Sequence, residues 1–200
     1  MTGLSAFGFY FITAKAVAYR WPNYTYLERC VLIGINNVNG IFYAGNPISC
    51  VASLIIDCKQ PNYALTQHGF FYNCTFVKNT WRADLELTRN GGTLKNCLIA
   101  DAPVDWSISK NQRPSNDCQD NFECNGPDDH ACFVDYDEGN FQLKSTSPAV
   151  SMGQAKWLIG KFKTDLNGYP FSAKPSVGCF QYQGGKRQNI PNKAYPLGGV

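Results

Sequence analysis

Tyr72-Asn73-Cys74-Thr75-Phe76-Val77 and Lys95-Asn96-Cys97-Leu98-Ile99-Ala100 share an Asn-Cys pair followed by a short apolar run. The same frame lies at Glu28-Arg29-Cys30-Val31-Leu32-Ile33 and at Val51-Ala52-Ser53-Leu54-Ile55-Ile56. Cys30, Ser53, Cys74 and Cys97 fall in register, at steps of 23, 21 and 23 residues. Weaker apolar alternations precede the later runs at Ile41 and Tyr43, at Leu65, and at Leu85 and Leu87. Between them stand turn formers: Asn36-Asn37, Gly45-Asn46-Pro47, Gln67-His68-Gly69 and Asn90-Gly91-Gly92. A step of about 22 residues with short strands and no helical period is what the stacked coils of a solenoid require. In a β-helix each strand pairs with its equivalent one coil above and below, about 4.8 Å away, so the same inward pattern must recur in every turn. Here the inward pairs are Cys30/Leu32, Ser53/Ile55, Cys74/Phe76 and Cys97/Ile99. The fixed leucine and asparagine spacing of a leucine-rich repeat is missing, and a β-sandwich is the alternative all-β reading.

Phe7, Phe9 and Phe11 alternate with Gly8 and Tyr10, so residues 1–22 read as a preceding coil or an edge strand. The end of a solenoid exposes unpaired backbone unless something covers it. Nothing ahead of Phe7 reads as a cap, and the expectation is that upstream sequence has been removed or that another subunit covers this edge. The coils run from about residue 5 to 102, followed by an irregular, acidic, cysteine-containing loop over 103–132 and a closing segment over 133–183. These make a single domain, 1–183, and residues 184–200 form an extended tail. Gln154 to Gly160 is the one stretch read as a short helical turn.

Composition excludes several classes. With 44% apolar and 14% aromatic residues the chain buries a core and is not disordered. A net charge of +3, from 18 basic against 15 acidic residues, is too small and scattered for a dedicated nucleic-acid binder. The stretch Phe7 to Tyr19 is interrupted by Lys15, which argues against both a membrane span and a standard signal peptide. Nine cysteines without paired C-x-x-C spacing argue against structural zinc. Cys118, Cys124 and Cys132 crowd the polar loop, where a disulfide staple is expected, whereas Cys30, Cys74 and Cys97 read as small core residues.

The Asn-Cys-Thr-Phe and Lys-Asn-Cys-Leu-Ile coils resemble right-handed parallel β-helix proteins of the pectate-lyase-like superfamily. The C-terminal third extends the likeness through Phe141-Gln142-Leu143, Ser145-Thr146-Ser147-Pro148-Ala149-Val150, Gly153, Thr164-Asp165-Leu166-Asn167-Gly168-Tyr169-Pro170 and Ser176-Val177-Gly178-Cys179-Phe180-Gln181-Tyr182. This order resembles the closing segment of bacterial surface or secreted proteins of the choice-of-anchor type. Ser151, Phe171 and Cys179 stand where that pattern has Asp, Arg and Ala. The resemblance covers residues 27–182 and implies an all-β fold, a right-handed parallel β-helix of about four to five coils, in an extracellular or cell-surface setting. It implies no reaction, because one scaffold of this kind carries many activities.

Asp117, Asp120, Glu123, Asp128, Asp129, Asp135, Asp137 and Glu138 lie in a stretch without Lys or Arg. Oxygen-rich loops suit hard cations, so Asp117, Asp120, Asp128 and Asp129 are candidate calcium ligands, although the spacing is not that of an EF-hand. A solvated loop is the plainer reading. Arg82 and Arg89 flank a predicted strand that holds Asp84 and Glu86. They are the candidate catalytic group of a polysaccharide lyase or glycoside hydrolase, where a base, a cation or paired carboxylates would act. Outward charges of this kind also decorate any solvated solenoid face. His68 and His130 read as turn residues. No serine-hydrolase, phosphate-loop or dinucleotide motif is present. Trp21, Tyr24, Trp81 and Trp106 fall near coil turns, where exposed rings could stack on sugars. The expected function is a secreted or surface protein recognising polysaccharide within a larger or oligomeric assembly. A lyase or hydrolase and a structural virion or filament subunit are the alternatives.

Overall fold

A computed structural model of the chain describes residues 4–7, 10–12, 25–35, 48–60, 64–66, 68–81, 87–88, 91–103, 107, 117–124, 129–158 and 163–182. The fold is all-β. Among the described residues the helical content is two 3-10 turns, Asp129–Cys132 and Ala155–Leu158. The second falls inside the stretch 154–160 expected to turn, while the first was not anticipated. No helix of the described residues is long and apolar enough to cross a membrane.

Each step of the repeat gives one strand to each of two six-stranded parallel sheets. The first holds β1 (Leu4–Phe7), β3 (Thr25–Glu28), β5 (Ile48–Val51), β8 (Gly69–Tyr72), β11 (Thr93–Lys95) and β13 (Asp117–Gln119), in that order. The second holds β2 (Tyr10–Ile12), β4 (Val31–Ile33), β6 (Leu54–Ile56), β9 (Thr75–Val77), β12 (Leu98–Ala100) and β14 (Phe122–Cys124). A short parallel pair joins β7 (Lys59–Gln60) to β10 (Thr80–Trp81). Leu54 pairs with both Val31 and Thr75, and Thr75 with Leu98. Thr75 N donates to Ser53 O at 3.0 Å and Leu98 N to Cys74 O at 2.9 Å, so the repeat positions lie one above another.

β1 and β2 take the outermost places beside β3 and β4, as the alternation at Phe7 to Phe11 implies. At the other end, β13 and β14 continue both sheets through a stretch expected to be irregular. Asp117 to Cys124 is a further step of the repeat, with Asn121 standing 24 residues after Cys97. Acidic side chains disguised it. Glu123, paired with Ile99, puts a carboxylate in the inward register of the last strand, a device that discourages further stacking.

Single residues make the corners. Between the sheets, Arg29, Ala52, Asn73, Asn96 and Asp120 have φ between 46° and 56°, and after the second sheet Gly34, Asp57, Lys78 and Asp101 have φ between 47° and 65°. This left-handed bend keeps the ladder intact: Ala52 N donates to Tyr72 O and Asp57 N to Val77 O, both at 3.0 Å. It costs a residue with a Cβ about 1 kcal/mol, least for Asn and Asp, which explains their recurrence here. At three steps an inward polar side chain accepts the N–H of a cysteine one step back: Ser53 for Cys30 at 3.1 Å, Asn79 for Cys58 at 2.9 Å and Asn121 for Cys97 at 2.8 Å.

Between the sheets, Leu32, Ile55, Phe71, Phe76, Leu94 and Ile99 form one buried cluster with Cys30, Cys74 and Cys97. On the other side of the second sheet, Val31, Leu54, Ile56, Val77 and Leu98 are buried by Phe133, Tyr136, Phe141, Leu143, Val177 and Phe180. The segment after residue 132, which includes the antiparallel pair β15 (Phe133–Asp135) and β16 (Asn140–Leu143), thus covers a flank of the second sheet. Corner side chains fasten it. Asn73 Nδ2 donates to Ser176 O at 3.1 Å, and Asn96 exchanges bonds with Gln154 O at 3.0 Å and Gln154 N at 2.9 Å. Gly178 has φ 94°, and a Cβ there would stand 2.6 Å from Thr75 Oγ1, so glycine permits the approach.

All nine cysteines are buried thiols. The expected staple among Cys118, Cys124 and Cys132 is replaced by three free thiols, used as small apolar groups: Cys118 in the layer between the sheets, on the far side of the second sheet from the other two, and Cys124 and Cys132 in the flank cluster. Burial pushes the Cys58 thiol up to about 12 and raises those of Cys50, Cys74, Cys97 and Cys179. Since the thiolate is the reactive form, a thiol-specific reagent at neutral pH is expected to label none of the nine within minutes in the folded chain and all nine after unfolding. Prompt labelling of the native protein would contradict this packing.

Candidate functional site

Strand alternation gives the first sheet an outward face made of two rows. Tyr26, Ser49, Phe70, Thr93 and Asp117 stand in one register, and Glu28, Val51, Tyr72, Lys95 and Gln119 in the next. Tyr26, Phe70 and Tyr72 are half-buried on this face, and Asp117 and Gln119 are exposed. Tyr26 OH donates to Glu28 Oε2 at 2.9 Å, which fixes that ring. The C-terminal segment borders the face: Leu158 and Phe171 pack with Tyr26 and Tyr72 against Val51 and Ala52.

Trp157 stands at the same border. Its Nε1 donates to Asp120 Oδ2 at 2.7 Å. Lys95 Nζ lies 4.2 Å and Lys156 Nζ 4.5 Å from the ring centroid. Lys95 is almost wholly buried and forms an ion pair with Asp117. A buried ammonium is tolerated here because it has both a carboxylate and an aromatic face. The hydrogen bond from Lys95 holds the Asp117 carboxyl below its usual range, and Gln119 Nε2 donates to the same oxygen at 2.8 Å. The result is a flat surface of half-buried rings among fixed donors and acceptors.

A second polar cluster lies at the Asp101 corner. His130 Nε2 is 2.8 Å from Asp101 Oδ1, and the Tyr136 hydroxyl donates to the other carboxylate oxygen. The His130 and Tyr136 rings stack at 3.6 Å with planes 7° apart, and Lys78 Nζ is 5.1 Å from the Tyr136 centroid. Burial and then Asp101 push the Tyr136 hydroxyl far above its ordinary range. A carboxylate-held imidazole is a pairing that general bases use. Here Tyr136 covers one ring face and shares the carboxylate, so the cluster ties residues 129–136 to the corner.

Several candidate residues lie outside the described residues: Arg82, Asp84, Glu86 and Arg89 of the catalytic group, Trp21, Tyr24 and Trp106 of the sugar-binding group, and Asp128 of the calcium group. Trp81 corrects the sequence reading. It is 5% exposed within the inner cluster, because alternation along β10 leaves Thr80 outside and turns the Trp81 ring inward, away from any sugar. Asp117 and Asp120 are engaged with Lys95 and Trp157, and Asp129 begins a 3-10 turn. Among the described residues no three or more His, Cys, Asp or Glu side chains are grouped to hold a metal ion. Sequence reasoning missed Phe70, Tyr72 and Trp157. The first two had a signal, since each is out of phase with the inward residue Phe71, but Trp157 lies outside the repeat. The chain matches no protein-family model, no curated protein and no solved structure with which it was compared.

Proposed function

We propose that this chain is a right-handed parallel β-helix, secreted or carried on a cell surface, that recognises polysaccharide across the outer face of its first sheet within a larger or oligomeric assembly. The observation that carries the reading is the set of half-buried rings Tyr26, Phe70, Tyr72 and Trp157 among Ser49, Asp117 and Gln119. Sugars present apolar C–H faces with a rim of hydroxyls, and rings set among donors and acceptors complement both. Strands stacked about 4.8 Å apart offer such a face to several units of an extended polymer. The winding is supported by the alternation of strands between the two sheets and by the strong right-handed preference of parallel crossovers. The surface setting is supported by the C-terminal likeness to secreted and surface proteins.

Electrophoresis of the purified chain through gels containing neutral or acidic polysaccharides is expected to show retardation by at least one of them. Tyr72→Ala and Trp157→Ala are each expected to weaken that binding about tenfold, the worth of one aromatic contact. Val134→Ser, at an exposed position on β15, is expected to leave it unchanged. Retardation by no polysaccharide, or retardation of the two ring variants as strong as that of the parent chain, would overturn the proposal.

A further inference from the structure

Arg29 occupies the first corner between β3 and β4, with its backbone at φ 51°. Its side chain crosses to the turn of the C-terminal segment that contains Thr164 and Gly168. Nη1 donates to Thr164 Oγ1 at 3.4 Å, and a Cβ placed on Gly168 would lie 3.9 Å from the same nitrogen. That one long bond is the only hydrogen bond of the guanidinium to a described residue, and no described carboxylate lies within ion-pair distance of it. Arg29 Nε is buried without an acceptor. So is Nδ2 of Asn167, the neighbour of Gly168 in the facing turn.

Both orphans are donors. A buried N–H without an acceptor carries its full desolvation penalty, and a guanidinium adds an uncompensated charge. The carboxylate of the facing turn, Asp165, is already committed, since it accepts from Asn167 N, Tyr169 N and Gln181 N, and Glu28, the acid beside Arg29 in sequence, accepts from Tyr26 OH. Arg29, Thr164 and Asn167 are half-buried as residues, while Arg29 Nε and Asn167 Nδ2 are themselves closed to solvent, so an anion reaches the two donors only as these side chains part. A group that answers two donors and one positive charge together is an oxyanion, and the planar fork of arginine is suited to carboxylate, sulfate and phosphate alike.

We infer that Arg29 and Asn167, with the Thr164 hydroxyl, form a binding site for a single oxyanion group at the seam between the β3–β4 corner and the facing C-terminal turn. The site does not depend on polysaccharide recognition. A free inorganic anion or the charged group of a sugar would fill it by the same bonds, and its residues are separate from the rings of the outer face.

Calorimetric titration of the full chain at constant ionic strength with sulfate, phosphate and glucuronate tests it. Saturable one-to-one binding of at least one of the three is expected. Arg29→Gln is expected to weaken it at least about tenfold and Asn167→Ser severalfold, as loss of a charge-assisted and of a neutral hydrogen bond implies. Lys144→Gln removes an exposed charge just after β16 and is expected to change nothing. Tightest binding of glucuronate would identify a sugar as the source, and tightest binding of phosphate or sulfate an inorganic or esterified anion. Should Arg29→Gln fail to fold, Arg29→Lys keeps the charge without the fork and is expected to weaken binding as well. Absence of saturable binding, or affinities of the Arg29 and Asn167 variants equal to that of the parent chain, would overturn the inference.

Discussion

Replacing Asp165 by alanine is expected to destabilise the folded chain by about 4 kcal/mol, because one buried and two half-buried N–H groups lose their acceptor at once. Asp165 is 0% exposed. Oδ1 accepts from Asn167 N at 2.9 Å and Tyr169 N at 2.8 Å, and Oδ2 from Gln181 N at 2.8 Å. Gln181 in turn bonds both backbone groups of Ser176, at 2.8 Å and 3.2 Å, so one side chain ties the turn to the last covering stretch. Chemical denaturation at pH near 5 measures the loss, and a loss below about 1 kcal/mol would show that water replaces the carboxyl. The same residue sets a pH dependence. Burial pushes its carboxyl up to about 6 from 3.8, although the N–H bonds pull the other way. A folded-state value above the unfolded one means that the native chain holds the proton more tightly. The stabilisation is therefore complete below the unfolded value of 3.8 and is lost as pH rises through about 6. Its size is on the order of 3 kcal/mol. Asp165→Asn cannot titrate, and the difference between its stability profile and that of the parent chain should rise across this window. A flat difference would refute the shift.

Phe71→Ala is expected to cost about 4 kcal/mol, the usual loss for a phenylalanine deleted from a packed core. Phe71 is 0% exposed and meets Phe76 edge to face with centroids 5.1 Å apart. Its ring fills the space beside Gly69, where a Cβ would stand 2.2 Å from a ring carbon. Phe70, the preceding residue on β8, faces outward and is half-buried. Phe70→Ala should therefore cost about 1 kcal/mol, in proportion to the smaller area it removes from water. Guanidinium unfolding of the two variants distinguishes the faces. If Phe70→Ala were the more damaging, the inward register would be wrong by one residue, which in a strand reverses every side chain.

The candidate site was legible only in part, for reasons that differ by residue. Tyr26, Phe70 and Tyr72 follow from strand alternation, because a side chain one position from an inward residue must point out. Trp81 misled because an aromatic near a turn is equally suited to the interior, and the decision rests on the phase of β10, a strand of two residues. The acids at Asp117 and Asp120 suggested a cation site from composition. Their partners, Lys95 at 22 residues' separation and Trp157 at 37, are brought to them by stacking and by the covering segment.

The sequence by itself determined the step of the repeat and the inward residues Cys30/Leu32, Ser53/Ile55, Cys74/Phe76 and Cys97/Ile99, because a stacked strand meets its own equivalent, and pairing is then written in the local pattern as a recurrence. It also held one unread sign. Val31, Leu54, Val77 and Leu98 alternate with inward residues that are apolar too, which marks a sheet covered on both faces. What covers that sheet was decided by the tertiary structure alone. Asn73 meets Ser176 across 103 residues and Arg29 meets Thr164 across 135. Such contacts join parts of the chain that share no period, so no repeat announces them. They form because the apolar flank of the second sheet must leave water, and the segment that covers it carries the donors and acceptors that its corners require.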